Sequence, residues 1–364
     1  MRCDVAIVGG GPAGLACSIE AAKRGLRVVL LEKRAFPCDK ACGEGVMPEG
    51  LRALEDLGVR PLLSPKDCAP FRGIRYEQED GSWAEGSLPD GGGLGIRRVA
   101  LSTAMVTRAR DEGVDLREQV DVKGFGREPN GVVLETSQGF IEAAMLVAAD
   151  GLASPLRRAA GLETIARGPR RFGVRRHFCA APWSDLVEIH FTEHAEAYVT
   201  PAGERRVGVA FLWDADRARG PLSFDALLAR FPRLASRLEG ALPDSAIRGS
   251  GPLERAATSP VADRFALLGD AAGYIDAITG EGISLALVSA RALGETLPDA
   301  ILRGATKASL RPYERALQKA FFRYEMLTRG LLSLAARPAL RRRVIRLLGR
   351  SPTLFKRVLQ VAVG

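Results

Sequence analysis

The stretch DVAIVGGGPAGLACSIEAAKRGLRVVLLE, residues 4–32, decides the fold of this chain. DVAIV predicts a buried strand, and Gly9, Gly11 and Gly14 follow it in the spacing G-x-G-x-x-G, ahead of a helical pattern and a second apolar run. These glycines permit the tight turn, the close approach of backbone to a pyrophosphate, and close packing of helix on strand. Glu32 ends the second run, 18 residues after Gly14, where a carboxylate accepts hydrogen bonds from ribose hydroxyls. The stretch predicts a dinucleotide site and leaves FAD and NAD both open.

Two later segments carry further turns at predicted strand ends. In MLVAADGLASPLRRAAGL, residues 145–162, an apolar strand runs into Asp150-Gly151. In FALLGDAAGYIDAITGEGISLAL, residues 265–287, another strand ends at Gly269-Asp270, and a glycine-rich loop leads into a helix near Gly282. A helix that begins there directs unsatisfied N–H groups and its positive dipole end at an anion. Both segments are therefore assigned to the nucleotide site.

Together the three motifs, in this order, resemble the FAD-dependent monooxygenases of the para-hydroxybenzoate hydroxylase superfamily. KACGEG (residues 40–45) and GDAAGYIDAITGEGI are similar to its geranylgeranyl reductase-like branch. The resemblance implies a mixed α/β (α+β) fold with a Rossmann-like FAD-binding domain, an inserted antiparallel β-sheet substrate domain and a helical C-terminal tail. The implied limits are 1–70, 96–164 and 256–300 for the FAD-binding domain, 71–95 and 165–255 for the substrate domain, and 301–364 for the C-terminal helical segment.

The same resemblance implies which residues hold FAD. The ADP half would lie on the glycine loop and Glu32, Val120 would contact adenine through its backbone, and Arg98 would touch FAD. The segment 40–45 and the residues from Gly280 would lie beside the flavin. The implied cofactor-binding residues are Gly9, Gly11, Pro12, Ala13, Gly14, Glu32, Lys33, Lys40, Cys42, Gly43, Arg98, Val120, Asp150, Gly151, Gly269, Asp270, Gly280, Gly282 and Ile283. NAD(P)H is the expected electron donor, and no second G-x-G-x-x-G predicts a separate domain for it.

The substrate region is less specific. Residues 165–255 contain short alternating runs that predict an antiparallel sheet, whose aromatic side chains either line a pocket or form sheet core. His177 and Tyr198 are the polar groups that could hydrogen-bond a substrate there, and a purely structural role is open for each. No other catalytic side chain and no metal site is predicted, because flavin chemistry needs few protein groups. Cys38 and Cys42 could form a redox pair, although their spacing is not C-x-x-C.

Composition and charge limit the remaining classes. The chain has 364 residues, 46% of them hydrophobic and 26% charged, which is typical of a globular protein and excludes a disordered chain or a fibre. The net charge is +9, but residues 337–364 carry eight basic side chains and no acidic one, so the rest is nearly neutral and predicts no nucleic-acid surface. Six scattered cysteines and no recognisable signal peptide predict a cytoplasmic protein. The basic, amphipathic tail predicts either peripheral contact with an anionic membrane or packing on the substrate domain.

Several functions fit these features. The first expectation is an NAD(P)H-dependent monooxygenase that uses O₂ to hydroxylate a lipophilic aromatic or polyketide-type secondary metabolite. The alternative is a flavin-dependent reductase of isoprenoid-lipid double bonds, which GEGI favours, although the Tyr-x-Trp-x-Phe-Pro type motif of those reductases is missing and Ala277 replaces a common proline. A halogenase is disfavoured because the Trp-x-Trp-x-Ile-Pro signature is absent. A non-catalytic FAD-fold binding protein is the second alternative.

Overall fold

The computed structural model describes residues 2–166, 168–218 and 222–363, without the side chains of residues 2 and 361–363. Its strands are β1 Arg2–Val8, β2 Val28–Glu32, β3 Gly45–Val46, β4 Cys68–Phe71, β5 Gly73–Gln78, β6 Trp83–Ser87, β7 Gly93–Ile96, β8 Asp115–Glu118, β9 Val122–Glu128, β10 Gly131–Thr136, β11 Gly139–Ala148, β12 Glu163–Thr164, β13 Arg171–Cys179, β14 Leu186–Phe191, β15 Ala195–Pro201, β16 Val207–Asp214, β17 Leu242–Pro243, β18 Arg248–Ser250, β19 Ala256–Ala257, β20 Val261–Ala262 and β21 Phe265–Leu267. Its helices are α1 Pro12–Ala22, α2 Pro48–Asp56, α3 Arg98–Asp111, α4 Pro155–Ala159, α5 Phe224–Leu228, α6 Pro232–Arg237, α7 Gly282–Leu302, α8 Arg311–Ala335, α9 Pro338–Arg350 and α10 Pro352–Val363.

The first large sheet brings the three glycine-rich turns together. Its main path is β20-β21-β11-β1-β2-β8, in which β21, β11, β1, β2 and β8 are all parallel. Parallel strands place their carboxyl ends at one edge of the sheet, which is where ligands bind in open α/β folds. The turns after β1, β11 and β21 therefore converge, although they lie more than a hundred residues apart in sequence. The predicted Rossmann-like half of the mixed α/β fold is confirmed.

Apolar helices hold this edge in place. Helices α1, α2, α3 and α7 share one buried core with the same face of β1 and β2, and the start of α8 joins it. The opposite face packs on side chains of β9, β10 and α4. Burial on both faces explains the continuous apolar runs of β1 and β2, since such runs are typical of parallel strands covered on both sides.

The second large sheet has the order β17-β13-β16-β15-β14-β5-β6 and is antiparallel except between β14 and β5. Its strands come from two separate parts of the chain, because β5 and β6 precede β11 whereas β13 to β17 follow it. Side chains alternate between its two faces. Phe178, Val199 and Phe211 point to one face and pack under α5 and α6. The predicted antiparallel substrate sheet is confirmed.

The C-terminal helices cover the other face of this sheet. Helices α9 and α10 lie against β6, and α8 connects them to the FAD-binding half. Their inward side chains pack with β5, β6 and β14; these are Val344, Ile345, Leu348, Phe355 and Leu359. The inward half of the tail's apolar residues is thus core, whereas Leu340, Leu347 and Leu354 are exposed. No helix in the described part of the chain is long and apolar enough to cross a membrane.

Candidate cofactor and substrate site

A cavity of about 770 Å³ lies between the two sheets and the C-terminal helices. One end is lined by the turns at the carboxyl edge of the first sheet and by residues 40–45. The middle is lined by residues 277–283, and the other end by apolar side chains of β5, β14 and α8 to α10. The cavity therefore joins a polar, glycine-rich region to an apolar chamber.

The glycine loop fits a pyrophosphate. A Cβ on Gly9, whose φ is +113°, would lie 2.2 Å from the Ala149 carbonyl oxygen, and a Cβ on Gly14 would lie 1.9 Å from the Gly9 carbonyl oxygen. Only glycine can occupy these two positions, because both atoms belong to backbone. A Cβ on Gly11 would instead meet only Arg98 Nη2, at 3.8 Å, so Gly11 faces open space beside a cation at the start of α1. Backbone N–H groups, a helix N-terminus and a guanidinium suit a diphosphate.

Glu32 has a second role that the sequence does not reveal. Its Oε2 accepts a hydrogen bond from the Gly10 N–H at 2.7 Å, and its Oε1 accepts one from the Arg34 N–H at 3.0 Å. The carboxylate thus fastens the glycine loop to the end of β2. It retains acceptor capacity for a ribose hydroxyl, since an ionised carboxylate offers about four lone-pair positions. The Val120 N–H donates to the Glu32 carbonyl at 3.0 Å, so only the Val120 carbonyl remains for the predicted adenine contact.

Two aspartates organise the loops around the nucleotide region. Lys40 Nζ lies 3.1 Å from Asp270 Oδ2, and this ion pair joins the segment 40–45 to the turn after β21. Asp150 accepts hydrogen bonds from the Ser154 hydroxyl at 2.6 Å and the Leu156 N–H at 3.1 Å. Burial raises the pKa of Asp150 despite these bonds. Both residues line the cavity, and Asp150 also holds the start of α4.

The expected flavin side combines small residues with buried thiols. Cys42, Gly43, Gly280, Gly282 and Ile283 all line the cavity, and α7 begins at Gly282. Burial raises the pKa of the Cys42 thiol, so the sulfur is protonated at neutral pH, and it accepts a hydrogen bond from the Glu44 N–H at 3.3 Å. Cys38 and Cys42 are both free cysteines, so the structure forms no disulfide between them.

His177, one of the two substrate-pocket candidates, lies outside the lining of the cavity. It is fully buried, its Nε2 lies 2.6 Å from Glu44 Oε2, and its Nδ1 lies 2.8 Å from the Ser245 hydroxyl. Because an ionised carboxylate only accepts hydrogen bonds, Nε2 is the nitrogen that donates to Glu44, and Arg97 Nη1 lies 2.9 Å from Nδ1 and 3.0 Å from Nε2. Burial lowers the pKa of His177. The Glu44 carboxylate acts in the opposite direction and offsets this effect only in part. The structure places His177, predicted as a possible substrate contact, outside the cavity lining and among Glu44, Arg97 and Ser245.

This buried cluster is a feature that sequence reasoning missed. Burial opposes ionisation of Glu44, but the His177 hydrogen bond and the nearby Arg97 and Arg175 guanidinium groups bring its pKa below the usual value. Glu44 also accepts from the Arg98 N–H at 2.9 Å, and Arg175 Nη2 donates to the Lys40 carbonyl at 2.8 Å. The cluster thus connects β13 of the second sheet to the residues on either side of Cys42. No local sequence pattern indicates this cluster. In the structure its one local mark is the positive φ of Glu44 (+61°).

Tyr198, the other candidate, lines the cavity. Its hydroxyl donates to the Ile278 carbonyl at 3.2 Å, so it fixes the loop that faces the flavin region. A second buried group supports the same loop: Arg171 Nε donates to Asp276 Oδ2 at 2.8 Å, and the Tyr324 hydroxyl donates to the Asp276 carbonyl at 2.7 Å.

In this loop, burial and then the Glu49 carboxylate raise the pKa of Glu281 to about 7.

Comparison with known proteins identifies the cofactor. The profile of the family described as FAD binding domain matches residues 2–321. The chain belongs to this family. It is 30% identical to digeranylgeranylglycerophospholipid reductase of Methanothrix thermoacetophila, over 86% of this chain and 83% of that one. It is 26% identical to menaquinone reductase of Mycolicibacterium smegmatis, over 81% of this chain and 76% of that one. The fold matches a geranylgeranyl bacteriochlorophyll reductase-like protein from Thermoplasma acidophilum with a TM-score of 0.84 at 21% identity, covering 98% of this chain and 94% of that one.

This FAD-binding-domain protein is therefore an FAD-dependent oxidoreductase of the geranylgeranyl reductase-like branch. The cavity brings together nearly all residues that the sequence predicts for FAD. Gly14 and Gly269 are the exceptions, and both act by packing. Gly14 lies against the backbone of Gly9, and a Cβ on Gly269 would lie 2.7 Å from Ala13 Cβ. Lys33 lies at the outer rim and is exposed.

Proposed function

We propose that the protein is a flavin-dependent reductase that saturates double bonds of an isoprenoid lipid. The observation that supports this most directly is the apolar chamber that continues from the flavin region to the C-terminal helices. Its floor is the face of the second sheet that carries Val187, Ile189 and Phe191, and its roof is formed by Leu331, Ile345, Leu348, Phe355 and Leu359. A long unsaturated hydrocarbon suits such a chamber, because burial of its surface contributes about 25 cal/mol per Å².

Saturation of a carbon–carbon double bond requires two electrons and two hydrogens. Bound FAD supplies the hydride chemistry, and NAD(P)H is the expected source of electrons. The chain positions the substrate and excludes water. Tyr198 and Arg171 hold the loop 276–278 at the entrance to the chamber, and α8 to α10 close it from solvent.

The relatives favour this function over the monooxygenase that the sequence predicts first. Both reported relatives carry the name reductase, one of a phospholipid with geranylgeranyl chains and the other of menaquinone. The Tyr-x-Trp-x-Phe-Pro type motif is missing, but other aromatic side chains line the chamber. Tyr76 packs against both Phe191 and Phe355 in its wall. Aromatic side chains from three separate segments thus form its wall.

The experiment that tests the proposal separates reduction from oxygenation. The holoprotein is reduced with dithionite under anaerobic conditions and mixed with a geranylgeranyl glycerophospholipid. We expect reoxidation of the flavin and products that have gained two hydrogens per double bond. Phenolic substrates under the same conditions are the control and should leave the flavin reduced. Reoxidation only after addition of O₂, with one oxygen atom in the product, would instead establish the monooxygenase.

We also propose that the outer face of the tail docks on an anionic membrane. Leu340, Leu347 and Leu354 are exposed there among the basic residues of 337–364. Apolar side chains flanked by arginines suit the boundary between headgroups and acyl chains, where each basic residue contributes about 1 kcal/mol near an anionic surface. The inner face of the same helices roofs the chamber, so such docking would place a lipid substrate beside its binding site.

Charge reversal tests this docking without removing the roof of the chamber. The double variant Arg343→Glu/Arg350→Glu should bind vesicles that contain anionic phospholipid at least tenfold more weakly than the wild type in co-sedimentation. Arg205→Glu/Arg230→Glu is the matched control, because it changes the net charge equally at exposed positions outside the tail. Equal loss of binding in both variants would show that only net charge matters and would contradict docking through the tail.

A further inference from the structure

Arg341 is a cation at the far end of the apolar chamber. It is the fourth residue of α9 and is only 2% exposed, whereas Arg342, Arg343, Arg346 and Arg350 of the same helix are exposed. Its side chain lines the cavity beside Ile345, Leu348 and Phe355. A charged group in such surroundings is rare, because transfer of an unpaired ion out of water costs several kcal/mol.

The protein satisfies Arg341 only in part. Its Nε donates to Gln78 Oε1 at 3.0 Å, its Nη1 donates to the Ala335 carbonyl at 2.9 Å, and its Cζ lies 4.9 Å from the centre of the Phe191 ring. All three partners are neutral. No carboxylate among the described residues forms an ion pair with Arg341, and Nη2 has no hydrogen bond within them. Burial lowers the pKa of Arg341, although the more distant Glu196 and Glu79 carboxylates act in the opposite direction.

The other buried arginines show what is missing. Arg97, Arg157, Arg171 and Arg175 each form an ion pair with a carboxylate of the chain. Arg98 has no carboxylate partner within the described ranges, and it faces the open space at Gly11 that suits the FAD diphosphate. Arg341, like Arg98, lacks an ion pair with a carboxylate of the described residues and lines an open space, in this case the chamber. By the same reasoning, its counter-ion belongs to a ligand.

Gln78 supports Arg341 from the sheet and is not among the residues that line the cavity. It is 3% exposed, its Oε1 accepts from Arg341, and its Nε2 is buried without a hydrogen-bond partner. Gln78 thus fixes the Arg341 guanidinium at the wall of the cavity, and Nη2 of Arg341 is left as the donor available to an oxyanion.

The location of Arg341 relative to the flavin region follows from the sheet register. Tyr198 on β15, which holds the flavin-facing loop, is aligned with Ile189 on β14 and Tyr76 on β5. Gln78 lies two residues further along β5. Two strand spacings of roughly 4.8 Å each place β5 roughly 10 Å across the sheet from β15. The Arg341 end of the chamber is thus set apart from the reactive end.

We infer that Arg341, held in place by Gln78, forms a subsite for the phosphate or carboxylate head group of an anionic, long-chain substrate. This inference rests on the proposed function, because it gives the lipid in the chamber its polarity and direction. The charged head lies against α9, and the hydrocarbon chain extends across the sheet toward the flavin. The subsite would select anionic lipids over neutral ones with the same chain.

The test compares ligands that differ only in the head group. Geranylgeranyl phosphate, geranylgeranoic acid, geranylgeraniol and inorganic phosphate are each titrated into the FAD-loaded protein, and binding is measured by calorimetry. We expect the phosphate and the carboxylate to bind about 10- to 100-fold more tightly than the alcohol, as for hydrogen bonds to a charged group. Inorganic phosphate should bind weakly, because it lacks the chain.

Arg341→Met should abolish this preference while the alcohol binds as before, since methionine keeps an unbranched apolar shape and removes a buried charge. Arg341→Lys should keep part of the preference and provides a second variant that retains the charge. Arg342→Met is the matched control on the exposed face of α9 and should keep all of it. If the alcohol binds as tightly as the phosphate, the anion subsite is wrong and the lipid chamber stands. If none of the lipids binds, the proposed function fails as well.

Discussion

Gly11→Ala is expected to give a folded protein that has lost its affinity for FAD. The added Cβ meets no atom closer than Arg98 Nη2 at 3.8 Å, so the protein alone accommodates it. The same methyl group occupies the space in which the diphosphate approaches the backbone of the loop. We expect the dissociation constant of FAD to rise at least 100-fold, or about 2.8 kcal/mol, in fluorescence titrations of the apoprotein.

Two comparison variants make this result specific. Gly126→Ala adds a methyl group where no atom lies within 4 Å, on β9 away from the cavity, and should bind FAD like the wild type. Gly14→Ala brings a Cβ to 1.9 Å from backbone and should disturb the fold as well. Unchanged FAD affinity in a folded Gly11→Ala protein would show that the diphosphate does not lie at this loop.

Glu44→Gln is expected to cost about 3 kcal/mol or more in the free energy of unfolding. The substitution removes the charge that balances Arg97 and Arg175 in a site where Glu44 is 2% exposed. Loss of one partner of a buried ion pair leaves an uncompensated charge, which typically costs about 3–5 kcal/mol. Urea unfolding at a fixed excess of FAD measures the difference. Glu295→Gln is the control, since its ion pair with Arg291 is exposed and should contribute less than about 1 kcal/mol.

The pH dependence of this difference follows from the lowered pKa of Glu44. A carboxyl group whose pKa is lower in the folded state binds fewer protons there than in the unfolded chain, so its contribution is present above the unfolded pKa and is lost on acidification. The difference in the free energy of unfolding between the wild type and Glu44→Gln should be largest at about pH 7. It should become smaller as the pH falls below 4.5, the ordinary pKa of a glutamate side chain. A gap that widens in acid would contradict the charged state assigned to Glu44.

The cofactor site was accessible from the sequence because its determinants are local. Gly9, Gly14 and Glu32 act within one β-α-β unit, and strand ends mark the other two turns. Parallel pairing then brings Asp150 and Asp270 to the same edge, a consequence of topology that the order of motifs predicts. The chamber behind the proposed reduction was less accessible, because it is built from side chains of several distant segments.

By itself, then, the sequence determined the dinucleotide fold, the cofactor cradle and the presence of an inserted sheet, since glycine spacing and hydrophobic periodicity act over short distances. Only the tertiary structure decided the environment of single charged side chains. His177 meets Glu44 across 133 positions of sequence, and Arg341 meets Gln78 across 263. One arginine of the basic tail turns inward while its neighbours face solvent. Burial of a charge depends on which distant elements pack over it, and helical periodicity shows only which residues share a face.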